Sequence, residues 1–460
     1  MFPRPLRLAV IGAGPAGIYA ADIVAAQAPG TQIDLFEKLP APFGLVRYGV
    51  SPDHPRIKKI VESLHEMLDG SDVRLFCNVE IGRDLSIAEL RERYDAVLVA
   101  TGANDDARLE IPGVDLPGSF GAADFVSWYD GHPDVPEHWP LHAESIAVLG
   151  AGNVALDVTR MLAKHAADLA DTDVSPNVAD GLAANPVRTV HLFARRGPAD
   201  ARFSAMELRE LGQQRDVDVI VDRADIAVDE HTARMAKQFG QRRINLATLT
   251  GWAERDPAER TASRRVHLHF YETPVRLEGD TGVTAIVTER GIPNGYGQVT
   301  PSGQFRSTPV QAVYRAIGYN SRPLPGLPFD EASHTIPNDE GRVLAADGAP
   351  LPGVYATGWV KRGPVGLIGS TKSDALQTVT HLLADLGERS ATSGLGQHTP
   401  EGAGNLLAER NIRPVDWAGW LAIDRAESDL GAADGRARVK IHRRQELTDI
   451  GWSAAAERIG

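Results

Sequence analysis

One pattern constrains this chain more than any other, and it occurs twice with opposite charges at its end. The first copy runs Leu8-Ala-Val-Ile-Gly12-Ala-Gly14-Pro-Ala-Gly17 and closes with Ile33-Asp-Leu-Phe-Glu37-Lys38. The second runs Ile146-Ala-Val-Leu-Gly150-Ala-Gly152-Asn-Val-Ala155 and closes with Val190-His-Leu-Phe-Ala-Arg195-Arg196. Each reads as an apolar strand, a glycine turn, a helix and a second strand whose end meets an adenosine ribose. A carboxylate at that point accepts hydrogen bonds from ribose hydroxyls, whereas paired arginines hold a 2′-phosphate. The pattern therefore predicts two different dinucleotides on one α/β chain, with electrons passing between them.

The individual residues of the two turns carry that expectation. Gly12 permits the tight turn, Gly14 lets the backbone approach a diphosphate, and Gly17 lets helix and strand pack closely. Pro15 loses nothing at the first helical position, where its missing N–H would have no partner. The exposed N–H groups and the helix dipole then face the diphosphate. In the second copy Ala155 stands at the third position, and the partner strand comes late. Gly17 to Glu37 spans 20 residues, but Gly152 to Arg195 spans 43, so the polar stretch 168–185 is expected as an insertion. Charged residues at a strand end are ordinarily just solvated. The place of Arg195 and Arg196 opposite Glu37 in the repeat favours phosphate recognition instead.

The repeat also predicts the organisation. Two Rossmann-like units are expected, the second inserted into the first: 1–103, then 104–319, then a return over 320–460. The return is read from Gly353-Val-Tyr-Ala-Thr357-Gly358-Trp359, which repeats the idiom of Asp95-Ala-Val-Leu-Val-Ala-Thr101-Gly102. Pro and Gly cluster over 112–140, which reads as an interdomain connection. Alternating segments such as Val266-His-Leu-His-Phe270 and Thr284-Ala-Ile-Val-Thr288 read as antiparallel strands.

Composition removes other classes. At 460 residues, 43% hydrophobic and 24% charged, the chain has the make-up of a soluble globular protein. No apolar run reaches the roughly 18 residues that span a bilayer. The first strand begins by Leu6 or Arg7, which leaves no room for a signal peptide, so a cytoplasmic chain or a mature form trimmed of a targeting segment is expected. Cys77 is the single cysteine, which excludes a redox pair, a disulfide framework and a protein-ligated iron–sulfur cluster. No metal site is expected. A net charge of −13 speaks against nucleic-acid binding.

Further segments carry a resemblance. Pro42-Phe-Gly44-Leu-Val-Arg47-Tyr-Gly49-Val-Ser-Pro52-Asp53-His54-Pro55 is followed in order by Gly150-Ala-Gly-Asn-Val-Ala-Leu-Asp157, Arg195-Arg-Gly-Pro198 and Glu207-Leu-Arg209-Glu210. Then come Gly358-Trp359-Val-Lys-Arg362-Gly363-Pro-Val-Gly366-Leu-Ile-Gly369 and, in the tail, Arg413-Pro-Val-Asp-Trp417. Together these resemble the adrenodoxin-reductase-like, NADPH-dependent ferredoxin reductases, along essentially the whole chain. Trp359 is the most specific mark, because the broader glutathione-reductase-like group usually has Asp there. Ser51 and Ser370-Thr371 depart from the pattern in minor ways.

The resemblance implies an FAD domain and an inserted NADPH domain, with hydride passing from NADPH to FAD and single electrons then leaving to a ferredoxin-type iron–sulfur protein. It places FAD near Gly12, Gly14, Ala16, Gly17, Glu37, Gly44, Leu45, Val79, Trp359, Gly366, Leu367, Ile368 and Thr371. NADPH would be held by Gly152, Asn153, Val154, Arg195, Arg196, Glu207 and the Gly366 backbone. His54 and Glu207 would act as a pair at the nicotinamide.

Several residues have competing readings. Gly366 to Gly369 reads as a glycine turn before a helix starting near Ser370 or Thr371, whose N-terminus would either simply be capped or face the flavin. Trp359 reads from spacing as a core aromatic, and His54, between two prolines, as a surface loop residue. Ser204-Ala-Met-Glu207 resembles a capping box in which Glu207 reaches back to the helix start, an alternative to a role at NADPH. Asp157 is expected to face solvent or the other domain. Arg202, Arg209, Arg215, Arg234, Lys237, Arg242, Arg243, Arg264 and Arg265 form a basic bias in the second unit that would dock an acidic ferredoxin on an otherwise acidic protein, with the chain acting as a monomer. A small-molecule reductase such as a quinone reductase, the flavoprotein subunit of a larger enzyme such as glutamate synthase, and a non-catalytic NADPH sensor remain as alternatives.

Overall fold

Both glycine turns follow buried strands, and each of those strands sits inside its own sheet. The computed structural model describes residues 2, 4–366, 368–392 and 402–456. The chain divides into two units: Met1–Asp105 with Asp130–Asp134 and Tyr319–Gly460, and Asp106–Tyr129 with Val135–Gly318.

The first unit is built on a seven-stranded sheet in the order Asn338–Asp339, Arg342–Leu344, Pro350–Ala356, Ala96–Val99, Arg7–Ile11, Gln32–Glu37, Val73–Cys77. Its last five strands run parallel, with Leu8 opposite both Ala96 and Ile33. Val354 pairs with Val97, so a strand from the late part of the chain completes a sheet begun at its start. Parallel strands buried on both faces need continuous apolar sequence, which 7–11 and 96–99 supply. Helix Pro15–Gln27 packs against the long helix Ile368–Thr392 on one side of the sheet.

The tail is part of this unit. Helices Trp417–Ala433 and Arg444–Ala456 pack on each other, and Cys77 and Val415 exchange backbone hydrogen bonds of 2.9 Å. Glu427, fully buried, accepts a 3.0 Å bond from the Arg47 guanidinium, another of 3.0 Å from Arg438, and the Ile441 N–H at 2.9 Å. The Arg47 guanidinium also lies over the Tyr48 and Trp420 rings at 5.0 and 5.2 Å. Removing one member of such a buried pair typically costs about 3–5 kcal/mol, because it leaves the other charge buried and uncompensated.

The second unit has a six-stranded parallel sheet in the order Ser119–Gly121, Ala312–Arg315, Ser145–Leu149, Thr189–Ala194, Arg264–Phe270, Val217–Val221. An antiparallel sheet of Glu272–Glu278, Ala285–Pro293 and Val299–Pro309 covers part of one face. The seam between them is Ala147, Leu149, Phe193, Leu277, Ile286 and Val313 with their neighbours. Between the second glycine helix and its partner strand lie a short helical turn, Ala166–Leu169, and helix Pro176–Ala183.

Two local expectations are corrected. Val266–Phe270 belongs to a parallel strand between two others, not to the antiparallel piece. Val266, Leu268 and Phe270 enter the core, while His267 and His269 stack with His191 of the neighbouring strand at 5.0 and 5.3 Å. Histidine at alternate positions thus mimicked a half-solvated strand. Burial pushes all three imidazoles down, His191 and His267 to about 4 and His269 to about 3. Likewise, 112–140 is no mere connection. It contains the edge strand Ser119–Gly121 and helix Ala122–Tyr129, whose Phe125 packs with Trp128, Trp139 and Tyr314. Residues 130–134 then join the first unit, where Lys440 donates to the Asp130 carboxylate at 3.0 Å and to the Arg47 carbonyl at 2.6 Å.

Candidate functional site

In the first unit the chain folds into its turn for reasons visible in the glycines. Gly12 has φ of +106°, and a Cβ there would lie 2.5 Å from the Ala100 carbonyl. A Cβ on Gly17 would sit 2.0 Å from the Gly12 carbonyl oxygen. Gly14 caps helix Pro15–Gln27 and leaves the first-turn N–H groups facing outward. The loop carrying Gly44 comes down on this turn: the Phe43 N–H donates to Ala13 O at 2.7 Å, and a Cβ on Gly44 would stand 3.1 Å from Gly14 Cα. Two side-chain-free backbones therefore face each other, a cradle any larger residue would fill. Leu45 opens the short helix Leu45–Tyr48 beside it.

Glu37 ends the second strand, 7% exposed, and accepts the Ala13 and Leu39 N–H groups at 3.0 Å each. Burial raises its pKa, and those backbone donors partly offset the rise. Each carboxylate oxygen retains a lone pair for a ribose hydroxyl. Val79 is buried next to it, its N–H on the Glu37 carbonyl at 2.9 Å.

The late segment completes this group. Gly358, with φ of +75°, would press a Cβ to 2.7 Å from the Ala16 methyl, so the turn before Trp359 lies against Ala16. Trp359 is half-buried and stacks on Tyr319 at 6.2 Å, so it is neither a core aromatic nor a free one. Gly366 is exposed with φ of +92°. The helix after it begins at Ile368, earlier than the Ser370–Thr371 start read from sequence, and Thr371 is buried in its first turn. Leu367 lies outside the described residues. Asp374, which no motif flagged, orders the region: it accepts the Gly358 N–H at 2.6 Å and the Thr357 hydroxyl at 3.0 Å and pairs with Lys361 at 3.1 Å. His54 also belongs to this unit and is 5% exposed, against the surface position expected of a loop histidine. Its N–H bonds to the Ser51 carbonyl at 3.0 Å, and it heads the short helix Pro55–Lys58.

The second unit repeats the turn in a more open form. Gly150 has φ of +140°, and a Cβ would meet the Ala316 carbonyl at 2.2 Å. Gly152 caps helix Asn153–Ala163 and has no atom within 4 Å of the place a Cβ would take. Val154 is half-buried in that first turn. Arg195 and Arg196 leave the end of strand Thr189–Ala194 exposed, and among the described residues their side chains form no hydrogen bond or ion pair. They line a cavity of about 400 Å³ with Thr273, Glu289, Gln298 and Thr300. The loop that follows is stitched back to the turn. The Arg202 N–H donates to Ala151 O at 2.7 Å, and the Ser204 N–H donates to Asn153 Oδ1 at 2.8 Å. The loop that follows the arginine pair is thus held against the glycine turn.

That stitch corrects the capping-box reading. Ser204 Oγ accepts the Glu207 N–H at 3.1 Å, but the reciprocal bond is absent because Asn153 has taken the Ser204 N–H. The Glu207 carboxylate, 3% exposed, instead accepts from Arg160 at 3.0 Å. Asp157 accepts from the same guanidinium at 2.7 Å, so it is an ion-pair partner and not merely a solvated residue. Glu207 lies in the second unit and His54 in the first.

The basic set is also redrawn. Arg264 turns inward to the carbonyls of Ala163, Lys164 and Asn185 at 3.2, 2.6 and 3.3 Å, and Arg215 pairs with Asp168 at 2.9 Å. Arg242 lies over Phe239 at 4.8 Å, and Arg234 bonds His231 at 3.2 Å. Arg202, Arg209, Lys237, Arg243 and Arg265 stay exposed.

Comparison with known proteins fits this geometry. The model of the pyridine nucleotide-disulphide oxidoreductase family matches residues 6–286. The chain belongs to that family. The NADPH-ferredoxin reductase FprA of Mycobacterium tuberculosis is 39% identical over 463 residues, covering 97% of this chain and 99% of the relative. The mitochondrial NADPH:adrenodoxin oxidoreductase of Arabidopsis thaliana is 35% identical, covering 95% of this chain and 94% of its own. The structure of Mycobacterium tuberculosis FprA in complex with NADPH superposes with a TM-score of 0.90 at 39% identity, over 98% of this chain and 100% of that one. Within the pyridine nucleotide-disulphide oxidoreductases this chain can run no disulfide relay of its own. Cys77 is its single cysteine, and burial holds its thiol well above the usual range. Among the described residues no helix is long and apolar enough to cross a membrane.

Proposed function

We propose that the chain is an NADPH-dependent ferredoxin reductase, with FAD on the first unit and NADPH on the second. The observation that carries this is the contrast at the two strand ends: a buried carboxylate, Glu37, beside the enclosed turn, and the exposed Arg195–Arg196 pair beside the open one. The printed activities of the full-length relatives point the same way. FAD, when bound, supplies the conversion of a two-electron donor into single electrons for an iron–sulfur acceptor.

The chain's own residues do the rest. Gly14 and Gly44 present adjoining backbones free of side chains, along which a diphosphate would lie, and Glu37 accepts from the ribose. Gly12, Gly17, Ala16, Leu45, Val79, Trp359, Gly366 and Thr371 shape the remainder of the FAD site. The N-terminus of helix Asn153–Ala163 faces the NADPH diphosphate, the arginines bind its 2′-phosphate, and Glu207 contacts the nucleotide. His54 serves the nicotinamide end. Arg202, Arg209, Lys237 and Arg243 would dock an acidic ferredoxin, with the protein acting as a monomer in the cytoplasm.

The test is NADPH-driven reduction of cytochrome c with and without ferredoxin, at rising ionic strength. Reduction should need ferredoxin and fall at least about tenfold between 50 and 500 mM salt, while direct dye reduction stays nearly level. Equal rates with and without ferredoxin would favour a small-molecule acceptor, and equal salt responses would remove the basic docking face.

A further inference from the structure

The two helices of the tail meet the first unit at the segments that line its enclosed turn. Phe43, just before Gly44, is wholly buried with φ of +83°. A bulky side chain adopts such a left-handed backbone only where its surroundings enforce it. The Phe43 N–H is fixed on Ala13 O at 2.7 Å, and its ring meets Trp420 of helix Trp417–Ala433 edge to face at 5.4 Å. Arg47 follows on the short helix Leu45–Tyr48 and runs to the Glu427 carboxylate of the same tail helix. A single helical turn has too few hydrogen bonds to hold itself, so its place is set by what it is tied to.

Asn78 is the other non-glycine residue of 37–79 with left-handed backbone, at φ of +61°. It follows Cys77, which pairs with Glu37 in the sheet, and its N–H donates to Leu39 O at 2.8 Å. Arg444, at the head of helix Arg444–Ala456, donates to Asn78 Oδ1 at 2.6 Å and to the Lys38 carbonyl at 3.2 Å. The guanidinium is itself oriented by the Asp134 carboxylate, with two bonds of 2.8 Å. Both strained corners are thus gripped by residues far along the chain, Arg47 by Glu427 across 380 positions and Asn78 by Arg444 across 366.

We propose that the two tail helices form a clamp for FAD. Glu427, through Arg47, and Arg444, through Asn78 and Lys38, are positioning residues that hold the backbone flanking the adenosine diphosphate in a shape it would not keep alone. This rests on the reading that FAD lies along Gly14 and Gly44 with its ribose at Glu37. The cofactor then leaves when the Phe43 and Asn78 corners relax, so the tail governs how long FAD is retained.

The experiment follows FAD release from the full-length holoprotein after dilution, by the rise in flavin fluorescence. Arg444→Ala should release FAD about tenfold faster than wild type. Adding Asn78→Gly, which takes a positive φ without a Cβ, should bring the rate back toward wild type, because that corner no longer needs the arginine. Arg342→Ala, which breaks a different bidentate pair of this unit with Asp385, should release FAD at the wild-type rate. Arg47→Met with Glu427→Met removes both buried charges together, so neither is left uncompensated, and should lose FAD faster than Arg444→Ala. Wild-type release from Arg444→Ala or from the double methionine variant would overturn the clamp. So would acceleration that Asn78→Gly leaves unchanged, or that Arg342→Ala matches. Folded Gly14→Val that retains FAD as wild type does would instead put the cofactor elsewhere, and remove the reading on which the clamp rests.

Discussion

The two glycine turns share a sequence pattern and differ in what surrounds it. At the first, the Gly44 backbone closes on Gly14 and the strand-end carboxylate is buried. At the second, nothing stands within 4 Å of the Cβ position of Gly152, and the strand-end arginines are exposed. The contrast fits a nucleotide that stays against one that comes and goes. An enclosed site surrounds its ligand and slows its release, whereas an open arginine-lined site relies on charge and exchanges readily.

The third positions of the turns should separate most widely. Gly17→Ala would drive a methyl to 2.0 Å from the Gly12 carbonyl, a backbone atom that cannot move without opening the turn. It should cost about 3 kcal/mol or more and yield protein depleted of flavin. At the matching place the second turn already holds a methyl, so Ala155→Gly should cost only about 1 kcal/mol and leave flavin content unchanged. Flavin absorbance per chain and calorimetric melting read both. Similar flavin loss in the two variants would break the comparison.

Next in size is the nucleotide preference. Arg195→Ala should weaken NADPH binding by about 10- to 150-fold, as expected for loss of one charge-assisted hydrogen bond of roughly 1.5–3 kcal/mol, and leave NADH nearly unchanged. Equal losses for both nucleotides would show that the arginine does not read the 2′-phosphate.

A third expected effect concerns acid. His191, His267 and His269 sit at about 4, 4 and 3 when folded, against an ordinary 6.5. The unfolded second unit therefore binds more protons, and its stability, complete above pH 6.5, is lost as pH falls toward 4. Glu37 acts in the opposite sense, because its pKa is raised on folding and acid relieves its burial. Hydrogen exchange at pH 7.5 and 5 should show protection lost first in strands 189–194 and 264–270. Earlier loss in strands 7–11 and 32–37 would contradict this.

Much of this was legible because it is local. Strand, glycine turn and helix follow one another within a few residues, so the pattern of Leu8 to Gly17 and its repeat predicted both parallel sheets. The inserted topology was legible from the shared idiom of 95–102 and 353–359. What stayed hidden is pairing at long range. Arg47 meets Glu427 across 380 positions and Arg160 meets Glu207 across 47, and no spacing rule links such residues. Asp374 was missed because an acidic residue inside a helix ordinarily faces water. Val266 to Phe270 misled because the histidines are polar in sequence yet stack against a neighbouring strand, His267 half-buried and His269 buried. For Glu207 the sequence left a self-cap and a place at the nucleotide as alternatives, because Asn153, the acceptor that takes the Ser204 N–H, lies 51 positions from Ser204.

The most direct test is an anaerobic titration of the purified chain, first with NADH and then with NADPH, followed by its visible absorbance. The account predicts a yellow protein carrying about one FAD per chain, bleached by equimolar NADPH and hardly touched by the same amount of NADH. A colourless chain, or one bleached equally by both nucleotides, would contradict it.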